Sequence, residues 1–229
     1  MSESETLAAI RARIDAAARR AGRRADSVRL IAVSKNQSVA AIERLAALGQ
    51  RDFGESRVQE AEAKMQAHPE LTWHCIGHVQ SNKTTPVARR FDWVHSIDNE
   101  KVFRRIGAAA QAGGREIQAL VQVNAARDPA KQGVAPDALF PLLERLFATP
   151  SPGIRLRGLM TIGALEQSQA ETRRVFCDLR TLAEAAAQRF GAEAFGELSM
   201  GMSDDFEIAI EEGATLVRVG TALFGPRVA

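Results

Sequence analysis

Lysine is scarce in this chain of 229 residues: Lys35, Lys64, Lys83, Lys101 and Lys131 are the lysines among 30 cationic side chains. Lys35 closes the apolar run Leu30-Ile-Ala-Val-Ser34, which reads as a buried strand. An amine at the rim of an apolar interior is harder to keep protonated, and a neutral amine forms an imine with an aldehyde. Far along the chain, two further runs end in glycine turns, Leu198-Ser-Met-Gly201 and Val217-Arg-Val-Gly-Thr221. Such turns offer an anion exposed backbone N–H groups and a hydroxyl, here from Ser199 or Thr221, with Gly220 as the hinge. Arg218, beside that cradle, is a second reason for Lys35 to release its proton. Met200 adds a polarizable sulfur suited to the face of a flat ring, a position where methionine also serves as core filler. The candidate ligand-holding residues are therefore Lys35, Ser199, Met200, Arg218, Gly220 and Thr221.

These residues must be brought together by alternating elements. Short β-branched or apolar runs at 30–34, 51–54, 72–76, 93–95, 119–123, 156–160, 196–200 and 216–219 alternate with longer stretches of helical period. Ser168 and Glu171 have capping-box spacing, Val175, Leu179 and Leu182 give an apolar stripe, and Gly191 closes the helix. After Met202, Ser203 reads as a helix N-cap with Asp204 and Asp205 in the first turn. The 136–147 segment carries a leucine face, with Pro141 expected to disturb its first turns. Eight βα units behind an N-terminal helix over 1–22, with Leu7, Ile10 and Ile14 on one side, predict a single-domain (β/α)8 TIM barrel over 1–229. The competing doubly wound sheet would have a Gly-rich first turn for a nucleotide, whereas this one reads Ser34-Lys-Asn-Gln37.

Composition narrows the function classes. Hydrophobic residues at 45% and charged residues at 25%, spread along the chain, disfavour disorder and rod-like folds. No stretch has the length and apolarity of a membrane span and the N-terminus lacks a secretory pattern, so a cytoplasmic protein is expected. Cys75 and Cys177 sit in apolar patterns that suit reduced packing residues. The arginine pairs have acids nearby and no interleaved aromatics, which speaks against a nucleic-acid surface. Strand alternation sends His74 and Cys75 to opposite faces, against a metal site with His78. A barrel presents its reactive groups at the C-terminal ends of its strands, so an imine-forming lysine faces a phosphate cradle across the mouth. Pyridoxal 5′-phosphate supplies both an aldehyde and a phosphate and is the economical ligand.

The segments Ala32-Val-Ser-Lys35, Phe53-Gly-Glu-Ser56, Trp73-His-Cys-Ile-Gly-His78, Val94-His-Ser-Ile-Asp98, Gly158-Leu-Met-Thr161, Leu198-Ser-Met-Gly-Met-Ser203 and Val217-Arg-Val-Gly220 resemble, in order and over nearly the whole chain, the pyridoxal phosphate homeostasis protein family. The resemblance implies an alanine-racemase-type barrel (fold-type III) carrying the cofactor as a Schiff base on Lys35. It also implies that Ser199, Gly220 and Thr221 hold the phosphate and that Arg218 approaches the pyridine nitrogen. One departure is Ser56 where the family usually has Asn, which leaves the longer amide's contact open to replacement by water.

An arginine at the pyridine nitrogen disfavours ring protonation and weakens the cofactor as an electron sink. Racemases of this fold add a tyrosine from a second domain, whereas this chain contains no tyrosine and has eight residues after Thr221. The resemblance therefore implies a carrier that takes part in intracellular vitamin B6 homeostasis and amino-acid and keto-acid balance without turnover. It is expected to be a monomer, with PLP-dependent apo-enzymes as recipients. The alternative is a weak racemase or decarboxylase in which His74 or His78 acts as second base.

Overall fold

The computed structural model describes residues 2–163 and 168–225. Chain order is α1 (Glu3–Arg20), β1 (Arg29–Val33), α2 (Val39–Ala47), β2 (Asp52–Glu55), α3 (Val58–Ala67), β3 (Thr72–Cys75), α4 (Thr84–Arg90), β4 (Trp93–Ile97), α5 (Glu100–Ala112), β5 (Ile117–Gln122), α6 (Leu139–Ala148), β6 (Ile154–Met160), α7 (Gln169–Phe190), β7 (Glu197–Ser199), α8 (Phe206–Glu211), β8 (Leu216–Val219) and α9 (Thr221–Phe224). The eight strands pair in parallel in chain order, and β1 closes on β8 with Leu30 opposite Val217 and Ala32 opposite Val219. The eight expected strands and the barrel are thus observed.

Local signals account for the elements. Helix α1 begins in a reciprocal capping box between Ser2 and Glu5 and buries Leu7, Ile10, Ile14, Ala17 and Ala18. It packs on α8 and α9, and Arg13 reaches Glu207 while Arg20 reaches Glu211, each at 2.8 Å. The Ser168–Glu171 capping box starts α7, and Gly191 follows its end. Strand alternation divides the core in two. Ile31, Trp93, Leu120, Met160 and Leu216 fill the bore, while a larger shell including Ala32, Phe53, Val94, Leu159 and Met200 joins the barrel to its helices.

The starts of α6 and α8 differ from expectation. A 3-10 turn over Pro136–Ala138 precedes α6, leaving Pro141 in the helix's first turn, where a missing N–H loses no intrahelical bond. Ser203 does not cap α8. The helix starts after Asp205, whose Oδ1 accepts the Met202 N–H at 2.6 Å, and Ser203 Oγ instead accepts the Ala222 N–H at 3.2 Å. The hydroxyl expected to start one helix therefore ties the β7–α8 loop to α9.

Candidate functional site

Lys35 sits two residues past β1 in a turn closed by Gln37 N–H donating to Ser34 O at 3.0 Å. Asn36 takes a left-handed φ of 62°, which asparagine tolerates better than most residues, and its N–H donates to Glu60 in α3. A buried cluster beneath supports this turn. Glu55 Oε1 accepts from Ser34 Oγ at 2.6 Å and from Lys64 Nζ at 2.8 Å, and Lys64 also donates to Ser34 O at 2.9 Å. Burial raises the Glu55 pKa despite the opposing bonds from Lys64 and Ser34. Glu55 ends β2, fully buried, and pairs across to Lys64 in α3.

Across the mouth, Gly201 turns the chain after β7 with φ 92°. A Cβ there would lie 2.6 Å from Ala209 Cβ and 2.9 Å from Phe206 Cα, so only glycine lets this turn pack on α8. The Gly201 carbonyl accepts the Arg218 N–H at 3.0 Å, joining the β7 and β8 turns. Arg218 is 4% exposed; Nη1 donates to Ser199 Oγ at 2.7 Å and Nη2 to Thr161 O at 2.9 Å. Burial depresses its pKa to about 10, against a smaller opposing pull from Asp205.

Lys35, Arg218, Gly220 and Thr221 line one cavity of about 280 Å³ at the C-terminal mouth, together with Ser56, Ile76, Ile162, Ser203 and Asp204. Two cations against one carboxylate, with hydroxyls at Ser56, Ser203 and Thr221, suit a small anionic ligand. Ser199 and Met200 are not among these lining residues. Alternation points Ser199 into the bore beneath Arg218 and Met200 into the shell outside it, where both are fully buried. Ser203 was missed as a site residue because its spacing matched a helix cap.

The histidines form the other missed feature. His74 Nε2 lies 3.0 Å from Asp52 Oδ1, His74 Nδ1 lies 3.0 Å from His95 Nε2, and His95 Nδ1 lies 2.8 Å from Ser199 Oγ. Both rings are fully buried, and desolvation lowers both pKa values, His95 strongly. His78 stands apart at the surface, 3.5 Å from Asp98. Among the described residues no group of three side chains could hold a metal. Burial pushes the Cys75 thiol up to about 12, as befits a packing residue.

A closed parallel barrel with a lysine after its first strand, facing a glycine-turn cradle after its last two strands and an arginine within the last, defines a class that comparison with known proteins specifies. Residues 6–228 match the family model described as alanine racemase, N-terminal domain. The chain is 44% identical over 226 residues to the pyridoxal phosphate homeostasis protein of Pseudomonas aeruginosa, covering 98% of this chain and 95% of that one. It is 40% identical over 230 residues to the protein of the same name from Escherichia coli K12, covering 98% and 96%. Among solved structures, PipY of Synechococcus elongatus with PLP bound superposes with a TM-score of 0.86 at 40% identity, covering 98% of this chain and 100% of that one. Alanine racemase of Clostridium difficile shares the fold, with a TM-score of 0.74 at 15% identity over 89% of this chain and 56% of that one. The chain belongs to the pyridoxal phosphate homeostasis protein family, within the group that has the alanine racemase N-terminal domain.

Proposed function

We propose that the chain binds pyridoxal 5′-phosphate in the mouth of its barrel, held covalently through the Lys35 amine, and serves PLP homeostasis as a carrier without turnover. The observation that carries this reading is the gathering of Lys35, Arg218, Gly220 and Thr221 around one cavity. The donor set fits the ligand. A primary amine suits the aldehyde; the turn at Gly220 and the hydroxyls of Thr221 and Ser203 suit the phosphate; and Arg218 can donate to a ring nitrogen that stays unprotonated beside a cation. Ser199 then acts on the ligand only through Arg218, and Met200 only as packing. The names of the relatives and the PLP-bound PipY structure support the same reading.

When bound, the cofactor offers a conjugated ring able to withdraw electrons from an attached amino acid, a capacity greatest when its nitrogen is protonated. Arg218, a donor that cannot readily take up a proton from the ring, opposes that state. Support for a non-catalytic role comes also from the absence of tyrosine in the chain and from the histidines. His74 is enclosed between Asp52 and His95, His78 pairs with Asp98, and neither is among the residues lining the cavity. The proposal extends to release toward PLP-dependent apo-enzymes, an effect on amino-acid and keto-acid balance, and a monomeric cytoplasmic protein; no helix among the described residues is long and apolar enough to cross a membrane.

Incubation of purified protein with PLP tests the binding, and an amino-acid racemisation assay tests the absence of turnover. The expected outcome is stoichiometric visible absorbance and no racemisation above the rate of free PLP. A colourless protein overturns the binding, and sustained racemisation overturns the carrier role.

A further inference from the structure

A row of polar side chains crosses the barrel bore from one end to the other. Asp52 begins β2 at the end opposite the mouth, where it lines a separate cavity of about 340 Å³ together with Arg29 and Gln50. His74 in β3, His95 in β4 and Ser199 at the end of β7 follow, and Arg218 in β8 completes the row at the mouth. The links measure 3.0, 3.0, 2.8 and 2.7 Å, all within hydrogen-bond range. His74, His95 and Ser199 are fully buried, and His74 is fixed further by Trp93 stacked against it at 5.6 Å.

Hydrogen-bond chemistry gives this row one direction. The Asp52 carboxylate only accepts, so His74 carries its proton on Nε2. A neutral His74 must then accept at Nδ1, so His95 donates from Nε2. A neutral His95 in turn accepts at Nδ1, and the Ser199 hydroxyl is its donor. The other end makes a compatible demand: the Arg218 guanidinium only donates, and its Nη1 bond to Ser199 Oγ leaves the serine proton free to point toward His95. Proton donation therefore runs Arg218, Ser199, His95, His74, Asp52, with no donor facing a donor. Burial, which favours neutral imidazole in both rings, agrees with this pattern.

We propose that Asp52, His74, His95 and Ser199 are positioning residues for Arg218, and that Asp52 sets the direction of the whole row from the end of the barrel opposite the mouth. With Nη1 committed to Ser199 and Nη2 to Thr161 O, the guanidinium is fixed in plane and in rotation, and its remaining N–H bonds are the ones a ligand meets. A carboxylate on the far side of the bore thereby fixes the donor geometry of the binding mouth. The effect on ligand uptake rests on the PLP reading of that mouth; the direction of the row does not.

Long-range ¹H–¹⁵N correlation spectra of the ¹⁵N-histidine-labelled protein without ligand report the tautomers, and titration with pyridoxal 5′-phosphate reports the mouth. In the wild type, His74 and His95 are both expected as neutral Nε2–H tautomers. Asp52→Leu removes the terminal acceptor; both rings should leave that single tautomer and PLP affinity should fall about five- to thirtyfold, the loss of one well-placed hydrogen bond to a charged group. Asp52→Asn keeps an acceptor oxygen and should restore both properties. If Asp52→Leu does not fold, Ser199→Ala cuts the same row at its other end and should free the His95 tautomer and weaken PLP binding similarly. A wild-type His95 protonated on Nδ1, or unchanged histidine spectra and affinity in the cut variant, overturns the proposal. A wild-type protein that takes up no PLP refutes the reading of the mouth, and the tautomer spectra alone then decide on the row.

Discussion

Two buried polar clusters support the two sides of the mouth, and they do so by opposite electrostatic means. Under the Lys35 turn, Glu55 and Lys64 meet as an ion pair at 2.8 Å, with side chains 0% and 6% exposed. In the bore, Arg218 is separated from Asp52 by three groups, His74, His95 and Ser199, each of which both donates and accepts. The ion pair concentrates charge between β2 and α3 and leaves Glu55 Oε2 buried with no hydrogen-bond partner among the described residues. The bore row places three uncharged groups between a partly exposed carboxylate and the buried Arg218 guanidinium, and leaves no such atom. Charge paired at one point depends on both partners; charges separated by a row of uncharged donors and acceptors depend on its direction instead.

Deleting one charge of the pair tests this contrast most severely. Lys64→Met leaves a buried carboxylate uncompensated and should lower stability in urea by about 3–5 kcal/mol. Adding Glu55→Gln should recover much of the loss, whereas simple addition of the two single effects would mean that the pair does not act as a unit.

The turn that joins the bore row to the cradle is next in size. Gly201→Ala forces a Cβ into a left-handed turn and against Ala209, and should cost about 1–3 kcal/mol in the same denaturation experiment. A neutral result would show that the turn relaxes without strain.

Acid separates the clusters by sign. Desolvation holds the folded-state pKa values of His74 and His95 below the ordinary histidine value of about 6.5, so below that pH the unfolded chain binds more protons and stability falls. The slope approaches about 1.4 kcal/mol per pH unit for each histidine until its folded pKa is reached, and the contribution is constant above about pH 6.5. Glu55 acts oppositely: burial raises its pKa, so its contribution diminishes as pH rises from the ordinary carboxylate value of about 4.3 through the folded value. Replacing both bore histidines with glutamine should flatten the stability profile just below pH 6.5, and an unchanged slope there would assign it to other groups.

The smallest effect is expected away from both clusters. A cavity of about 550 Å³, larger than the mouth, is lined by Phe103, Leu146, Phe147 and Phe190 at the ends of the outer helices. Phe147 is 43% exposed and stacks on Phe190 at 4.9 Å. Phe147→Ser should cost about 1 kcal/mol, the scale of an aromatic pair, and leave PLP titration unchanged. Weakened uptake would tie this outer pocket to the mouth.

The barrel was legible because its signals are local and repeated: apolar runs mark strands, and Ser168 with Glu171 and Gly191 mark one helix's ends. Lys35, Arg218, Gly220 and Thr221 were legible because a barrel collects the ends of its strands at one mouth. Side-chain direction was less so. Ser199 and Met200 share a turn, but the strand's period of two sends one into the bore and the other into the shell, and neither lines the cavity. The Glu55–Lys64 pair joins a strand to the next helix, and the bore row links Asp52 to Arg218 across five strands. Spacing along the chain carries no trace of such partners until the barrel closes.

The covalent role proposed for Lys35 is tested most directly by borohydride reduction of the PLP-treated protein, followed by peptide mass spectrometry, with Lys35→Ala as control. The expected result is one pyridoxyl adduct on the peptide containing Lys35 and none in the control. An adduct on Lys64, Lys83, Lys101 or Lys131 in place of Lys35, or no adduct at all, contradicts it.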